Sequence, residues 1–220
     1  MAIGERRRQI ARFEWIMKAA SELADRNPQS LADYVRLIGR RVQSEHLSSV
    51  AMSKLHSSSS ADTRELLFDL SRVITDDGRN GYDVVRKSSE HRDLQLGRDL
   101  IFANPWHRGR LVDNLIHIGA PAPRRAWLHH PNNHSVEWWL PMGIGWVHGG
   151  NHSIMVGIVR AEGVLPASTV MDVSPLFAHV WTDGWWYHSE AKQKFAKVPC
   201  VELAAIFEIG RLMHGKGASA

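Results

Sequence analysis

A chain of 220 residues with 44% hydrophobic content is long enough to build one sizeable core. Lysine and arginine exceed aspartate and glutamate by 27 to 23, and a net charge of +4 permits contact with nucleic acid without requiring it. No apolar run reaches the length of a membrane span, and no signal sequence follows the basic start. The single cysteine, Cys200, excludes an internal disulfide and a cysteine-rich zinc module, so we expect a cytoplasmic protein.

The first half of the sequence is predicted to be helical, because its apolar residues recur every three or four positions. In chain order the predicted elements are a helix ending near Asn27-Pro28, a second helix capped by Ser30, a weakly periodic segment over 44–56, a flexible serine run over 57–60 and a helix over 64–74 that Asp76-Asp77-Gly78 stops.

The second half mixes short strands, turns and helices, which predicts an α+β fold. We expect a helical N-terminal region over 1–99 packed on a small mixed α/β core with a C-terminal helix over 100–220. The predicted elements are a helix over 107–118 ended by Pro121 and Pro123, a strand at 127–128 entering a turn over 129–133, strands over 136–140 and 143–147, a helix over 154–161, a turn over 164–166 and a strand over 169–173. A hairpin of the segments 176–181 and 185–188 with its turn at 182–184 follows, and then a helix over 201–213 that ends at Gly215.

Tryptophans and arginines mark two possible contact surfaces. Seven of the nine tryptophans lie between Trp127 and Trp186, and two adjacent pairs occur, Trp138-Trp139 and Trp185-Trp186. Neighbours on a strand point to opposite faces, so we expect one member of each pair to be exposed, as a partner contact or a base-stacking surface. The arginines cluster on the first two helices, as a solvated face or a phosphate-contacting surface, at Arg6, Arg7, Arg8, Arg12, Arg36, Arg40 and Arg41.

The segment Gly149-Gly150-Asn151-His152-Ser153, called here the GGNHS segment, precedes the apolar run 154–159. Two glycines allow a tight bend, and a helix starting at Asn151 or His152 would aim free N–H groups into it. Such a helix end attracts anions, phosphate above all. The alternative is a plain glycine turn capped by Asn151.

Histidines and carboxylates near the GGNHS segment could form a metal site or an acid/base pair. His134, His148 and His152 could be assembled as metal ligands, although no spacing matches a known zinc motif, so the metal stays unknown. His134 and Glu137 are expected to face one cleft, as acid/base catalysis requires; the alternative is a hydrogen-bonded core histidine.

The segment Asn104-Pro105-Trp106-His107-Arg108 leads into the helix over 107–118. Either Asn104 simply caps that helix, or Arg108 turns toward the GGNHS segment, where its guanidinium could bind phosphate oxygens.

These segments, followed by Val164-Leu165-Pro166-Ala167 and Val170-Met171-Asp172, together resemble the ParB/sulfiredoxin-like superfamily over the middle third of the chain. The resemblance implies that Gly149, Gly150, Asn151, His152 and Ser153 cradle a nucleotide or nucleic-acid phosphate. Asn151 stands where sulfiredoxins carry their catalytic cysteine, and Ser153 where the superfamily often has arginine. Too little chain follows Asp172 for the DNA-reading and dimerisation domains of partition proteins.

Small members of that superfamily include fertility-inhibition factors of conjugative plasmids, which implies an effector that blocks or degrades DNA during type IV secretion. ATP or another nucleotide, Mg²⁺, DNA and a secretion coupling protein would be its ligands and partners, and an ATP-stimulated DNase activity is possible. In that scheme His152 touches the phosphate, Arg108 neutralises it, and Glu137 or Asp172 orients water or a divalent ion.

Two alternatives remain at this point. One is a non-catalytic, protein-binding inhibitor with a vestigial phosphate pocket, which docks through exposed tryptophans and Arg6 to Arg8. The other is a DNA-binding regulator, against which counts the absence of a recognisable helix-turn-helix sequence.

Overall fold

The computed structural model describes residues 2–52, 67–119 and 125–220, and it has the predicted α+β fold. The helices are α1 (Ala2–Arg26), α2 (Ser30–Met52), α3 (Gly81–Val84), α4 (Arg108–His117), α5 (Asn151–Arg160), α6 (Leu176–His179) and α7 (Val201–Gly215). The strands are β1 (Arg86–Lys87), β2 (Asp93–Gln95), β3 (Leu100–Phe102), β4 (Ser135–Leu140), β5 (Ile144–Gly149), β6 (Val164–Pro166), β7 (Thr169–Asp172), β8 (Val180–Thr182), β9 (Trp186–Ser189) and β10 (Ala196–Lys197). None of the helices described is both long and apolar enough to cross a membrane.

The strands form three sheets. The main sheet has the order β1-β7-β4-β5-β3, in which β4 runs antiparallel to β5 and parallel to β7. A three-stranded sheet has the order β10-β9-β8, and β2 pairs with β6 in a two-stranded ribbon. Strand β4 is therefore the centre of the main sheet, and its side chains alternate between the two faces.

Both faces of the main sheet are covered. Trp139 and Trp146 belong to one hydrophobic core, together with residues of α2 and α7. Trp138 belongs to a second core on the other face, with Ile154 and Met155 of α5. The prediction that one member of the Trp138-Trp139 pair is exposed is wrong, because each residue is only 1% exposed. A sheet sandwiched between helices buries alternate side chains in both directions.

Helices α1 and α2 pack on α7, which is buried along most of its length. Glu202 in the first turn of α7 lies buried between the guanidinium groups of Arg12 and Arg41. Arg40 donates hydrogen bonds to the carbonyl oxygens of Gly97 and Arg98. Several of the clustered arginines thus hold elements together, a role that neither sequence interpretation included.

Strands pair across the predicted boundary between the regions 1–99 and 100–220. Strand β1 pairs with β7, and β2 pairs with β6. The larger core also combines Leu31 of α2 with Trp139 of β4 and Leu203 of α7. The described part of the first region therefore shares its core with the second.

Several local predictions are wrong. Apolar spacing over 64–74 predicted a helix, but residues 67–74 form turns and a bridge from Val73 to Asn80, with Leu67 and Phe68 buried. Burial in an irregular segment produced the same apolar spacing as a helix. The weakly periodic segment continues α2 as far as Met52, residues 127–128 lie outside any strand, residues 164–166 form β6 instead of a turn, and residues 176–179 form α6 before β8. The predicted serine run at 57–60, Pro121 and Pro123 lie outside the described residues.

Candidate functional site

The GGNHS segment joins β5 to α5, and Gly150 makes the bend. Its backbone is left-handed, with φ 77° and ψ 21°, and a Cβ there would lie 2.3 Å from Cδ2 of His134. Helix α5 begins at Asn151, as predicted, with no side-chain hydrogen bond at its cap. The alternative of a turn capped by Asn151 is wrong. The backbone N–H groups of the first turn are thus directed out of the helix end.

The N-termini of α4 and α5 are tied together by backbone-to-side-chain hydrogen bonds. The N–H of Asn104 donates to Oδ1 of Asn151 at 2.7 Å, and the N–H of His107 donates to Nε2 of His152 at 2.9 Å. His107 also caps α4, since its Nδ1 accepts from the N–H of Arg110 at 3.1 Å. Asn104 is therefore not the predicted cap. Two helix N-termini lie side by side, and each carries a partial positive charge.

The N-terminal end of α5 and one face of α4 border a cleft of about 460 Å³. The indole of Trp106 lies 5.4 Å from the guanidinium of Arg110 and meets the ring of His152 nearly edge-on. None of the described residues that line the cleft is an aspartate or a glutamate, so its electrostatic potential favours an anion. The lining consists of Trp106, Arg110, Asn114, Ile118, His130, Asn133, His134, His148, Gly149, Gly150, Asn151, His152 and Ser153.

His152 is oriented as a hydrogen-bond donor. Its Nε2 accepts from the backbone of His107, so the proton of the neutral ring is on Nδ1. Burial lowers the pKa of His152, and the nearby Arg110 guanidinium lowers it further. The ring is neutral at pH 7 and has no free acceptor nitrogen. This geometry allows His152 to donate to a phosphate oxygen, as its predicted role requires, but does not suit a general base.

His134 and Ser153 form a contact that resembles a nucleophile with its base, but His134 donates the hydrogen bond instead of accepting it. Nδ1 of His134 accepts from the N–H of His130 at 3.1 Å, so the neutral ring donates from Nε2 to Oγ of Ser153 at 2.7 Å. Ser153 Oγ then donates to the carbonyl oxygen of Gly150 at 3.1 Å. Burial, together with His129 and His130, lowers the pKa of His134 to about 4. A base that must accept the serine proton needs the opposite tautomer.

The two predicted carboxylates lie away from the cleft. Glu137 is on the face of the sheet opposite α5, where its Oε1 accepts from the indole N–H of Trp139 at 2.8 Å. The expectation that His134 and Glu137 share a cleft is therefore wrong, because three residues along a strand invert the face.

Asp172 lies at the other end of the sheet. It pairs with Leu140 at the end of β4, whereas Gly149 pairs with Ser135 at its start. Five residues of strand separate these positions, which is about 17 Å. The carboxylate of Asp172 accepts a hydrogen bond from the N–H of Ser174, and Asp172 borders a different cavity. The predicted catalytic set of His152, Glu137 and Asp172 is not assembled.

Of the two arginines at the start of α4, the structure brings Arg110 to the cleft and leaves Arg108 exposed outside its lining. Sequence reasoning selected Arg108 and missed Arg110, Trp106 and Asn114. Asn114 follows Arg110 by four residues, so helical periodicity places both on one face. Which arginine faces the cleft depends on the cap at His107, which the sequence did not show.

His134, His148 and His152 all line the cleft, as the metal hypothesis required. Within the part of the chain that the structure describes, however, no three histidine, cysteine, aspartate or glutamate side chains lie close enough to hold a metal ion. Cys200 lies elsewhere, and burial raises its pKa to about 11, so its thiol stays protonated at neutral pH.

Comparison with known proteins gives one family. No curated protein and no solved structure matches the chain significantly. A family model matches residues 3–220, nearly the whole sequence. The chain therefore belongs to DUF6710, a family of unknown function.

Proposed function

We propose that this protein acts by binding a phosphate-bearing ligand, a nucleotide or DNA, in the cleft between α4 and α5, and that it is not a nuclease. The proposal is supported above all by the composition of the cleft, which combines the N-terminus of α5 with Arg110 and Trp106 and has no carboxylate in the described lining. Backbone N–H groups and a guanidinium are the donors that phosphate oxygens need.

A nucleotide fits the cleft in size and chemistry. A volume of about 460 Å³ lies within the usual range of small-ligand sites. Phosphates would lie at the N–H groups of residues 151–153 beside Arg110, and the indole of Trp106 offers a stacking surface for the base. Mg²⁺ prefers carboxylate oxygens, which the described lining lacks, so a magnesium ion would be held by the phosphates of the nucleotide and not by the cleft.

The proposed biological role is inhibition of conjugative DNA transfer in the cytoplasm of a donor cell, at the coupling protein of a type IV secretion system. It rests on the resemblance to fertility-inhibition factors. Blocking is favoured over degrading, because Glu137 and Asp172 lie outside the cleft and His152 has no free acceptor nitrogen. Expression in donor cells should lower the transfer frequency while plasmid DNA stays intact in the presence of Mg²⁺ and ATP.

Two neighbouring arginines provide a matched test of ligand binding. Titration with ATP should change the tryptophan fluorescence of the wild type in a saturable way, because Trp106 borders the cleft. Arg110→Gln should weaken binding by about tenfold or more, since a charge-assisted hydrogen bond is lost. Arg108→Gln removes the same charge two residues away and should bind like the wild type. Absence of binding by the wild type, or equal losses in both variants, would contradict the proposal.

A further inference from the structure

The three-stranded sheet β10-β9-β8 has one buried and one solvent-facing side. Tyr187, Thr182 and Ser189 are buried on the inner side. The strand register places Trp181 opposite His188 and Lys197 opposite Trp186, and cross-strand partners share a face. The outer side therefore carries Trp181, Trp186, His188 and Lys197, and we call these four residues the aromatic face.

Within the aromatic face, Trp181 is exposed and held in a fixed orientation, and Trp186 is partly exposed. The indole of Trp181 is 44% exposed and stacks on His188, with ring centroids 5.7 Å apart and an interplanar angle of 11°. His188 is itself fixed by Asp183, 3.3 Å from its Nε2, and by the carbonyl oxygen of Gln193. Trp181 thus presents a preorganised aromatic surface to solvent.

Lysine ammonium groups lie beside the neighbouring indoles. Nζ of Lys194 is 5.8 Å from the ring centroid of Trp186, and Nζ of Lys197 is 4.5 Å from that of Trp185. Three carboxylates of this region already have partners: Asp183 contacts His188, Glu190 contacts His179, and Asp69, which shares a cavity with Trp186 and Lys197, lies 3.8 Å from Arg72. The surface therefore alternates stacking rings with positive charge.

The N-terminal turns of α1 continue this positive surface. Gln9 donates to the carbonyl oxygen of Gly184 at 2.9 Å, and Phe13 packs against Gly184 at the tip of the hairpin. Arg6 precedes Gln9 by three residues and Phe13 by seven, so it lies on the same side of the helix. Arg7 is exposed next to it, whereas Arg8 lies about 200° around α1 from Arg6, on the same side as Trp15. The hairpin, Arg6 and Arg7 thus form one basic surface.

We propose that the aromatic face, extended by Lys194, Arg6 and Arg7, binds a single-stranded nucleic acid. Unpaired bases stack on Trp181 and Trp186, and the phosphates between them are neutralised by the lysines and arginines. A single strand fits better than a duplex, because a duplex hides the faces of its bases in its own stack. The proposal concerns a surface distinct from the cleft and does not depend on nucleotide binding there.

The test is fluorescence anisotropy with a labelled oligothymidylate of about twelve nucleotides, a length within the usual site size of small single-strand binding domains. We expect saturable binding at low salt. Trp181→Ala and Trp186→Ala should each weaken it by at least about fivefold, whereas Trp181→Phe, which keeps a stacking ring, should retain most of it. Lys194→Gln and Lys197→Gln should each reduce the salt dependence of log K by about 0.7.

The matched control is Trp15→Ala. Trp15 is 67% exposed and has Lys18 at 5.3 Å from its ring, which is the same kind of pair as on the hairpin. It lies two residues after Phe13, about 200° around α1 and away from the hairpin. This variant should bind the oligonucleotide like the wild type, and thermal melting should show that all variants fold.

Three results would overturn the proposal: no binding by the wild type at low salt, equal losses in Trp15→Ala and Trp181→Ala, or equal affinity for a duplex or for polyglutamate. The last would indicate a general polyanion or acidic protein partner. Arg110→Gln should bind the oligonucleotide normally even if it loses ATP, so failure of this proposal is distinguishable from failure of the cleft proposal.

Discussion

Gly150 is the residue on which the geometry of the cleft depends most. It combines a left-handed backbone with a close approach of the His134 ring. Gly150→Ala should lower the free energy of unfolding by about 2–4 kcal/mol, because strain and a steric clash add. Gly78 has φ 89° but open space around it, so Gly78→Ala should cost only about 1 kcal/mol. Urea unfolding of both variants would measure the difference, and equal losses would mean that the contact with His134 is unimportant.

His134 should make the stability of the fold depend on pH. Its pKa is lowered to about 4, below the value near 6.5 expected in the unfolded chain, so between these values the unfolded state binds the proton first. The contribution of His134 is fully present above pH 6.5 and is lost as the pH falls toward 4, by up to about 3 kcal/mol.

Replacement of this ring should flatten the pH profile. His134→Asn does not titrate but offers an acceptor for the N–H of His130. Its unfolding free energy, measured in urea at pH 7 and pH 5, should fall less than that of the wild type. His152 and His46, whose pKa values burial also lowers, account for the remaining slope. Identical slopes in both proteins would contradict the assigned protonation state.

At this scale the sequence predicted the helix start at Asn151 but not the partners of its side chains. The glycines and the apolar run that follows are local signals. The hydrogen bonds from Asn104 and His107 join positions 45 or more residues apart, and the tautomers of His134 and His152 follow from backbone groups that only the fold brings near. These contacts were beyond sequence reasoning.

At the scale of elements, Glu202 links three helices. It lies on α7 and contacts Arg12 of α1 and Arg41 of α2, while Sγ of Cys200 donates to its other oxygen at 3.5 Å. Glu202→Gln should lower the free energy of unfolding by about 2 kcal/mol, because a buried charge-assisted contact is lost.

Glu45 provides the control for this prediction. It also contacts Arg41, at 2.7 Å, but it is exposed. Glu45→Gln should change stability by less than about 0.5 kcal/mol, as surface ion pairs usually do. Thermal or urea unfolding would measure the stabilities of Glu202→Gln and Glu45→Gln. A similar effect of both substitutions would show that the helices do not depend on the buried carboxylate.

The long helices were predictable because each one buries an apolar stripe, as in α1 and α2. The shortest strands were not. Strands β1 and β10 have two residues each, and they exist because β7 and β9 lie beside them. Strand propensity over two residues carries almost no signal, so such edges depend on long-range pairing.

For the whole molecule, the main error of the sequence-based prediction was that it left one face of the main sheet exposed. Adjacent tryptophans on β4 suggested one exposed ring, but helices cover the sheet on both sides, so Trp138 and Trp139 enter separate cores. The near-continuous apolar character of β5 is a signal for such double burial. Trp15 and Trp181 are exposed, and both members of the Trp185-Trp186 pair are partly exposed, instead of the one exposed member predicted.

The distances between the cleft and the two carboxylates favour ligand binding over catalysis. The cleft, Glu137 and Asp172 occupy three different parts of the main sheet, whereas the donors suited to an anion converge in the cleft. The aromatic face lies on another sheet. The arrangement of the whole molecule therefore supports the two proposed surfaces for phosphate-bearing ligands and gives no support to a nuclease site.

An NMR titration of ¹⁵N-labelled protein with ATP would locate the proposed phosphate site at the start of α5. The largest shifts should occur at the backbone amides of Asn151, His152 and Ser153 and at the indole N–H of Trp106, which lie around the cleft. Signals near Asp172 should stay unchanged. Shifts centred on Asp172 and the neighbouring Arg86, or no shifts at all, would contradict a phosphate site at the start of α5.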